Sequence, residues 1–295
     1  MDEKKMLFIY NPHAGKASIR SNLLDIVDIF TRAGYEVTAQ PTQKKGDAME
    51  ATVKKAGRYD ILVCSGGDGT IDEVVSGMMQ RTERIPIGYV PAGTTNDFAT
   101  SLGLPTDVIK AAERVVEGSV EEYDAGRFLD RYFVYVASFG LFTKSSYTTK
   151  QAAKNYLGHL AYLLDGIREL SAIRKERIRI ELDGTVIEDD FWFGAVCNST
   201  SVGRVISFDK NAVDMSDGMF EVFLLRAPKD LAELHETIIA LTNQKYNSKT
   251  ITIRSARSIR IFSDPSMLWS LDGEKADGKN EITIENLHRY IKLIR

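Results

Sequence analysis

Two short apolar runs, Ile61-Leu-Val-Cys64 and Ile85-Pro-Ile-Gly-Tyr-Val90, each break off in a loop of glycine and hydroxyl residues. The first loop is Ser65-Gly-Gly-Asp-Gly-Thr70, and the second extends from Pro91 to Ala99. Runs this short and this continuous read as strands buried on both faces. After the first loop, Val74, Val75 and Met78 recur at helical spacing. Upstream, residues 6–10 predict a strand, 17–33 a helix ended by Gly34, 35–39 a strand and 46–56 a helix. Strand and helix in alternation are the pattern of a parallel sheet covered on both faces.

Near residue 119 the pattern changes to strands. Val120–Phe128, Tyr132–Ala137, Ile178–Leu182, Phe191–Asn198, Phe220–Leu225, Ile251–Ile253, Ile259–Phe262 and Met267–Leu271 all read as strands. Helices are expected over 150–170 and 229–243. Asp183-Gly184, between two strand-like segments, is a two-residue hairpin signal. This second half predicts a domain dominated by antiparallel strands, with the boundary near residue 126. No repeat or low-complexity linker is visible. The last segment, Tyr290–Ile294, fits either domain.

Composition narrows the chemistry. The 295 residues hold 41 acids against 38 bases, for a net charge of -3, which argues against gripping nucleic acid by bulk charge. Two cysteines, Cys64 and Cys197, and four histidines exclude a zinc cluster at the usual spacings and a disulfide scaffold. Both cysteines lie in strand-like runs and read as buried thiols of a reducing compartment. The chain enters an apolar run at once, without the h-region of a signal peptide. No segment reaches the ~18 apolar residues of a membrane span. A cytoplasmic protein is expected, with peripheral membrane contact left open.

The two loops can do several things. Glycines after a buried strand let the backbone approach a ligand, and amides at a helix start attract anions. Thr70 with Glu73, and Thr94 with Asp97, also have capping-box spacing, so simple strand-to-helix turns are the alternative. Familiar phosphate motifs fail. Asn11-Pro-His-Ala-Gly-Lys16 has Tyr10 where a Walker loop needs glycine, and Asp72 stands where the dinucleotide fingerprint needs a third glycine or alanine.

Asn11-Pro-x-Ala-Gly-Lys16, Gly66-Gly-Asp-Gly-Thr70 and Pro91-x-Gly-Thr-Thr-Asn-Asp-Phe-Ala99, in this order, resemble the diacylglycerol kinase catalytic domain family. That group also holds sphingosine and ceramide kinases and soluble bacterial lipid kinases. The resemblance extends to Asp217-Gly218 and Leu271-Asp-Gly-Glu274 and covers essentially the whole chain. The chain departs from the family pattern at His13-Ala14, Asp72 and Thr100.

The resemblance implies an N-terminal α/β nucleotide-binding domain (of the NAD kinase and phosphofructokinase kind) plus a C-terminal β-sandwich-like domain. The first would span 1–126, rejoined by 285–295, and the second 127–284. It implies ATP in the cleft between them, held by Asn11, Pro12, His13, Ala14, Gly15, Thr42, Gly67, Asp68, Gly69, Thr70, Ile71, Asp72, Glu73 and Thr94. Lys16 could add a point charge or lie in solvent. Asp68, Asn96, Asp97 and Asp217 resemble a network of acidic and polar groups linked through water to Mg²⁺. Asp214, Asp217 and the Met219 carbonyl match a second, structural metal site. Asp214-Met-Ser-Asp217-Gly218 also reads as a plain turn. Asp272 would take the proton of the acceptor hydroxyl, with Glu274 and Asp68 completing the catalytic set. Asp272-Gly273 also reads as a hairpin turn, as Asp183-Gly184 does.

The activity implied is Mg²⁺-dependent transfer of phosphate from ATP to a lipid hydroxyl, 1,2-diacylglycerol to phosphatidic acid. A kinase of a soluble metabolite such as NAD, a kinase of another lipid alcohol and a non-catalytic sensor are the alternatives. A homodimer is expected from the soluble relatives. Membrane contact at the inner face would draw on Arg168, Arg174, Lys175, Arg177 and Arg179, or on Arg254, Arg257 and Arg260. The alternative for both groups is a solvated strand or helix face. The helix at 150–170 would be core packing or an acyl site.

Overall fold

The computed structural model describes residues 4–15, 18–94, 96–141, 174–202, 206–208 and 213–295. The helix expected at 150–170, with Arg168, and the motif residues Lys16 and Thr95 lie outside the described residues. The chain divides into two compact units, residues 1–125 with 288–295, and residues 126–287.

The first unit alternates strand and helix: β1 (Lys4–Tyr10), α1 (Ser18–Arg32), β2 (Tyr35–Pro41), α2 (Asp47–Lys55), β3 (Ile61–Gly66), α3 (Asp68–Met79), β4 (Ile87–Pro91), α4 (Asp97–Leu102) and α5 (Val108–Glu117). β5 (Val120–Phe128) leads out of it. Its parallel sheet has the order β2-β1-β3-β4, and the chain's last strand adds at β4 through Leu293 beside Ile87. Residues 6–9 of β1 and all of β3 are buried because helices cover both their faces. Met6, Phe8, Ile61 and Val63 pack with Ile26 and Phe30 of α1 and Ala111, Ala112 and Val115 of α5. Each such large side chain contributes about 1.5–3 kcal/mol on burial. From β1 the chain crosses to β2 on one side, then to β3 on the other. Connections diverge at that point, and an open α/β sheet has its ligand crevice there, outside the carboxyl ends of the strands.

The second unit is antiparallel. It holds β6 (Arg131–Phe133), β7 (Val136–Gly140), β8 (Glu176–Leu182), β9 (Thr185–Cys197), the short β10 (Ser201–Val202) and β11 (Ile206–Ser207), β12 (Phe220–Arg226), α6 (Leu231–Thr242), β13 (Ile251–Ala256), β14 (Ser258–Phe262), β15 (Leu268–Leu271), β16 (Glu274–Asp277) and the first half of β17 (Glu281–Ile294). β9 is shared: residues 185–191 pair with β8, and residues 193–197 pair with both β7 and β12. One long strand thus joins two groups of strands. Trp269 anchors the core with Phe128 and Phe139 at centroid distances of 4.9 and 5.1 Å.

One expected strand is split. Tyr132–Ala137 reads as continuous, yet the ladder lapses between β6 and β7. The amides of Val134 and Tyr135 in the gap, and of Val136 at the start of β7, all donate to the Asp272 carboxylate.

Candidate active site

Sheet hydrogen bonding runs past the strand ends and gathers three connections at one edge of the first unit. Asn11 N donates to Ser65 O (2.8 Å), Thr42 N to Tyr10 O (2.9 Å) and Ala92 N to Gly66 O (2.8 Å). The loops then press on one another. A Cβ on Gly93 would lie 2.4 Å from Gly67 Cα, and one on Gly15 would lie 2.4 Å from the Ala92 carbonyl oxygen. Only glycine permits this packing. Asn11, Gly15, Gly67, Gly93 and Thr42 are therefore brought to a single edge, at the divergence of β1 and β3. Asn11 also stiffens its own turn, its Oδ1 accepting from His13 N at 2.9 Å. Arg20 braces the same turn, donating from Nε to Pro12 O at 2.9 Å.

The two helices that start here differ. α3 begins after Gly67 with no side-chain cap. An uncapped helix start behind a glycine turn favours anionic oxygen. α4 is also without a cap from Asn96, whose φ is +52. Asn96 instead closes its own loop on Gly93, through Oδ1 from Gly93 N (3.0 Å) and Nδ2 to Gly93 O (2.9 Å). Asp68 does the capping, as its Oδ1 accepts from Phe98 N at 3.2 Å. Burial raises the Asp68 carboxyl, and the amides of Phe98, Asp97 and Asn96 offset only part of that rise. Asp68 thus ties one glycine loop to the helix of the other.

Neither capping box suggested by spacing forms. Thr70 lies inside α3, packed over Gly66, and Glu73 caps α2. α4 begins at Asp97, three residues after the exposed Thr94. The Ile71 side chain is in the core, 1% exposed, so only its backbone can face a ligand. Asp72 is half-buried in α3.

Asp214, Asp217, Met219, Asp272 and Glu274 belong to the second unit. Asp272 is 5% exposed. Its Oδ1 accepts from Tyr135 N (3.1 Å) and Val136 N (2.8 Å), and its Oδ2 from Val134 N (2.5 Å). Glu274 opens β16, opposite Leu271 across the hairpin. Asp214 Oδ1 accepts from Ser216 N and Oγ, and Asp217 Oδ1 from Met219 N, so both close tight turns. The Met219 carbonyl accepts from Asn286 Nδ2 at 3.2 Å.

Two residues escaped the sequence reading. Tyr89 is 2% exposed, and its hydroxyl donates to Gly66 O at 3.2 Å, beneath the glycine loop. Burial, then the Asp68 charge, raises its phenol, so it stays a donor. A tyrosine inside an apolar run was the signal, since a buried hydroxyl needs a partner. Glu221, within the apolar run Phe220–Leu225, is 6% exposed, and its Oε2 has no hydrogen-bond partner. Burial, with Asp217 second, pushes its carboxyl up to about 7.

Around Asp214 and Asp217 every donor is oxygen, which suits Mg²⁺. The buried, unpartnered Glu221 oxygen lies in the field of Asp217 and Asp214, whose charges add to burial in raising its carboxyl. Among the described residues no three acidic, histidine or cysteine side chains are gathered as ligands. A cation held here would draw on the Met219 carbonyl and water as well.

Most of the expected basic patch is paired. Arg174 meets Glu176 (2.6 Å), Lys175 Asp190 (2.7 Å), Arg177 Glu188 (2.8 Å), Arg179 Glu181 (2.5 Å) and Arg260 Glu281 (2.5 Å). This is a strand face of alternating charge. No helix among the described residues is long and apolar enough to cross a membrane. Cys64 and Cys197 are buried free thiols, raised by burial.

Comparison with known proteins gives a consistent picture. Residues 5–128 match the family model described as diacylglycerol kinase catalytic domain. Residues 136–295 match the one described as YegS C-terminal NAD kinase beta sandwich-like domain. The chain is 34% identical over 295 residues to a diacylglycerol kinase of Bacillus subtilis (strain 168), covering 99% of this chain and 96% of that protein. It is 33% identical over 294 residues to a diacylglycerol kinase of Staphylococcus aureus (strain MRSA252), covering 98% and 91%. A crystal structure of a diacylglycerol kinase from Bacillus anthracis str. Sterne superposes with TM-score 0.76 at 23% identity, covering 100% of this chain and 97% of that one. At that identity the likeness concerns the fold.

Proposed function

The chain belongs to the diacylglycerol kinase family, and from that premise we propose that it transfers the γ-phosphoryl group of ATP to the hydroxyl of 1,2-diacylglycerol. The observation that carries this reading is the meeting of Asn11–Gly15, Gly67 and Gly93 at the carboxyl edge of the parallel sheet. Backbone amides there, with the uncapped start of α3, suit phosphate oxygens. Asn11, Gly15, Gly67, Gly69 and Thr42 are the nucleotide contacts we assign, and Thr94 adds an exposed hydroxyl.

In the reaction the lipid hydroxyl oxygen bonds to the γ-phosphorus, the bond from that phosphorus to the bridging oxygen breaks, and ADP departs. We assign the hydroxyl proton to Asp272, with Glu274 beside it on the hairpin. Three amides donate to the Asp272 carboxylate and hold it still. That makes it an orienting group more than a strong base. Phosphoryl transfer is loose, and orientation with charge neutralisation outweighs basicity there. Asp214, Asp217 and the Met219 carbonyl would hold Mg²⁺, and a bound cation supplies charge neutralisation. Asp68, Asn96 and Asp97 shape the glycine loops of the first unit. Among the described members of the expected basic groups, Arg254 and Arg257 are exposed and would meet an anionic membrane, at about 1 kcal/mol each.

Radiolabelled ATP with diacylglycerol in mixed micelles, with and without Mg²⁺, tests the proposal. Labelled phosphatidic acid is the expected product. Labelled NADP from NAD, with no labelled lipid, would select the soluble-metabolite reading.

A further inference from the structure

Glu73 belongs to the first glycine-loop motif, yet its carboxylate is directed elsewhere. α2 lacks a cap of its own. Gly46 stands at its N-cap with φ +88 and has no side chain to offer. Asp47 turns back, its Oδ2 accepting from Gln43 N (2.7 Å) and Lys44 N (3.0 Å). Glu73, from α3, supplies the missing acceptors: Oε1 takes Gly46 N at 2.7 Å and Oε2 takes Ala48 N at 3.1 Å. One carboxylate thereby does for a neighbouring helix what its own N-cap residue would normally do.

The segment held in this way is the one that carries Thr42. It is secured at both ends. Thr42 N donates to the Tyr10 carbonyl, continuing the sheet, and Gly46 and Ala48 are tied to Glu73. Between them Asp47 closes the turn internally through Gln43 N and Lys44 N, and the two fixtures link that turn to β1 and α3. Because Glu73 is only five residues from Asp68 on α3, it couples the glycine-loop helix to the Thr42 segment.

We infer that Glu73 is a positioning residue, which sets the Thr42 hydroxyl against the nucleotide and does not itself touch the nucleotide. This rests on the nucleotide reading above.

A double-mutant cycle on the full chain tests it, read as the affinity for a fluorescent ATP analogue. Thr42→Val and Glu73→Ala are each expected to weaken binding about tenfold, near 1.4 kcal/mol. The double variant is expected to match the weaker single one within twofold, because Glu73 acts through Thr42. Activity at saturating ATP stays within about threefold for Glu73→Ala, so KM moves and kcat does not. Glu73→Gln keeps one acceptor and is expected to fall between, which covers the case of a poorly folded alanine variant. Losses that multiply in the double variant, or unchanged affinity in both Glu73 variants, would overturn the inference. A wild-type chain that fails to bind the analogue would instead overturn the nucleotide reading on which it stands.

Discussion

Asp-Gly closes two hairpins in the second unit, at Asp183-Gly184 and at Asp272-Gly273. Their φ angles are +46 and +86 in the first and +49 and +91 in the second, the paired left-handed values of a two-residue turn. In both, the aspartate amide donates to a neighbouring strand: Asp183 N to Ser258 O (3.1 Å) and Asp272 N to Val136 O (2.9 Å). In both, the carboxylate takes amides of that strand. Asp183 accepts from Arg257 N (3.1 Å) and Ser258 N (2.8 Å). Asp272 accepts from Val134, Tyr135 and Val136. They differ in surroundings, since Asp183 is exposed and Asp272 is 5% exposed. A dipeptide can therefore specify a turn and even a clasp, while burial decides how much depends on it.

Replacing the acid should separate the twins most. Asp272→Ala is expected to lower phosphatidic acid formation by at least about 10²-fold, the usual worth of a proton-transfer group. It should also lower thermal stability, because buried amides left without an acceptor cost about 1–3 kcal/mol each. Asp183→Ala should leave turnover within about twofold, since water can serve its exposed amides. Equal loss of turnover in both would remove Asp272 from the chemistry. Asp272→Asn is a sharper probe: it should retain binding of an ATP analogue and lose turnover. Its amide group keeps one acceptor and turns a donor toward backbone donors, so melting must be measured beside activity.

Glu221 is the contrasting carboxylate, buried in the same unit with one oxygen unpartnered. Its ordinary value of 4.5 is pushed up to about 7. The folded state therefore holds the proton more tightly than the unfolded one. The stability tied to that proton is complete below about 4.5 and is lost as pH rises through about 7. With divalent cations chelated, Glu221→Gln should raise the melting temperature at pH 8 and change it little at pH 4. A variant that melts lower at pH 8 would contradict this.

The smallest effect concerns the turn glycines. Both have positive φ and open space about the absent Cβ, so Gly273→Ala and Gly184→Ala should each cost about 1–2 kcal/mol of backbone strain. Chemical denaturation should find those costs alike. Activity should fall only for Gly273→Ala, because only that turn carries the proposed reacting acid.

The alternation of strands and helices, the antiparallel second half, both hairpins and the glycine loops were all legible in residue order, because each is a local matter of periodicity and turn chemistry. Capping was not. Thr70 with Glu73 has the spacing of a box, yet Glu73 reaches α2 from 27 residues away in sequence. Asp68 likewise caps a helix through an amide 30 residues later. The split of Tyr132–Ala137 was equally hidden, since the carboxylate that takes the amides there stands 136 residues or more along the chain.

By itself, then, the residue order determined most of the strands, where the backbone turns and where glycine loops follow buried strands, although β16 and residues 281–289 of β17 were not read from it. Those choices follow from φ/ψ freedom and apolar period within a few residues. Tertiary structure alone decided what each carboxylate does. Asp68, Glu73, Asp183 and Asp272 all hold backbone amides of distant segments, whereas Glu221 has one oxygen with no such partner. The physical reason is that a carboxylate's behaviour is set by the donors and charges within a few ångströms of it, and folding selects those neighbours from anywhere in the chain.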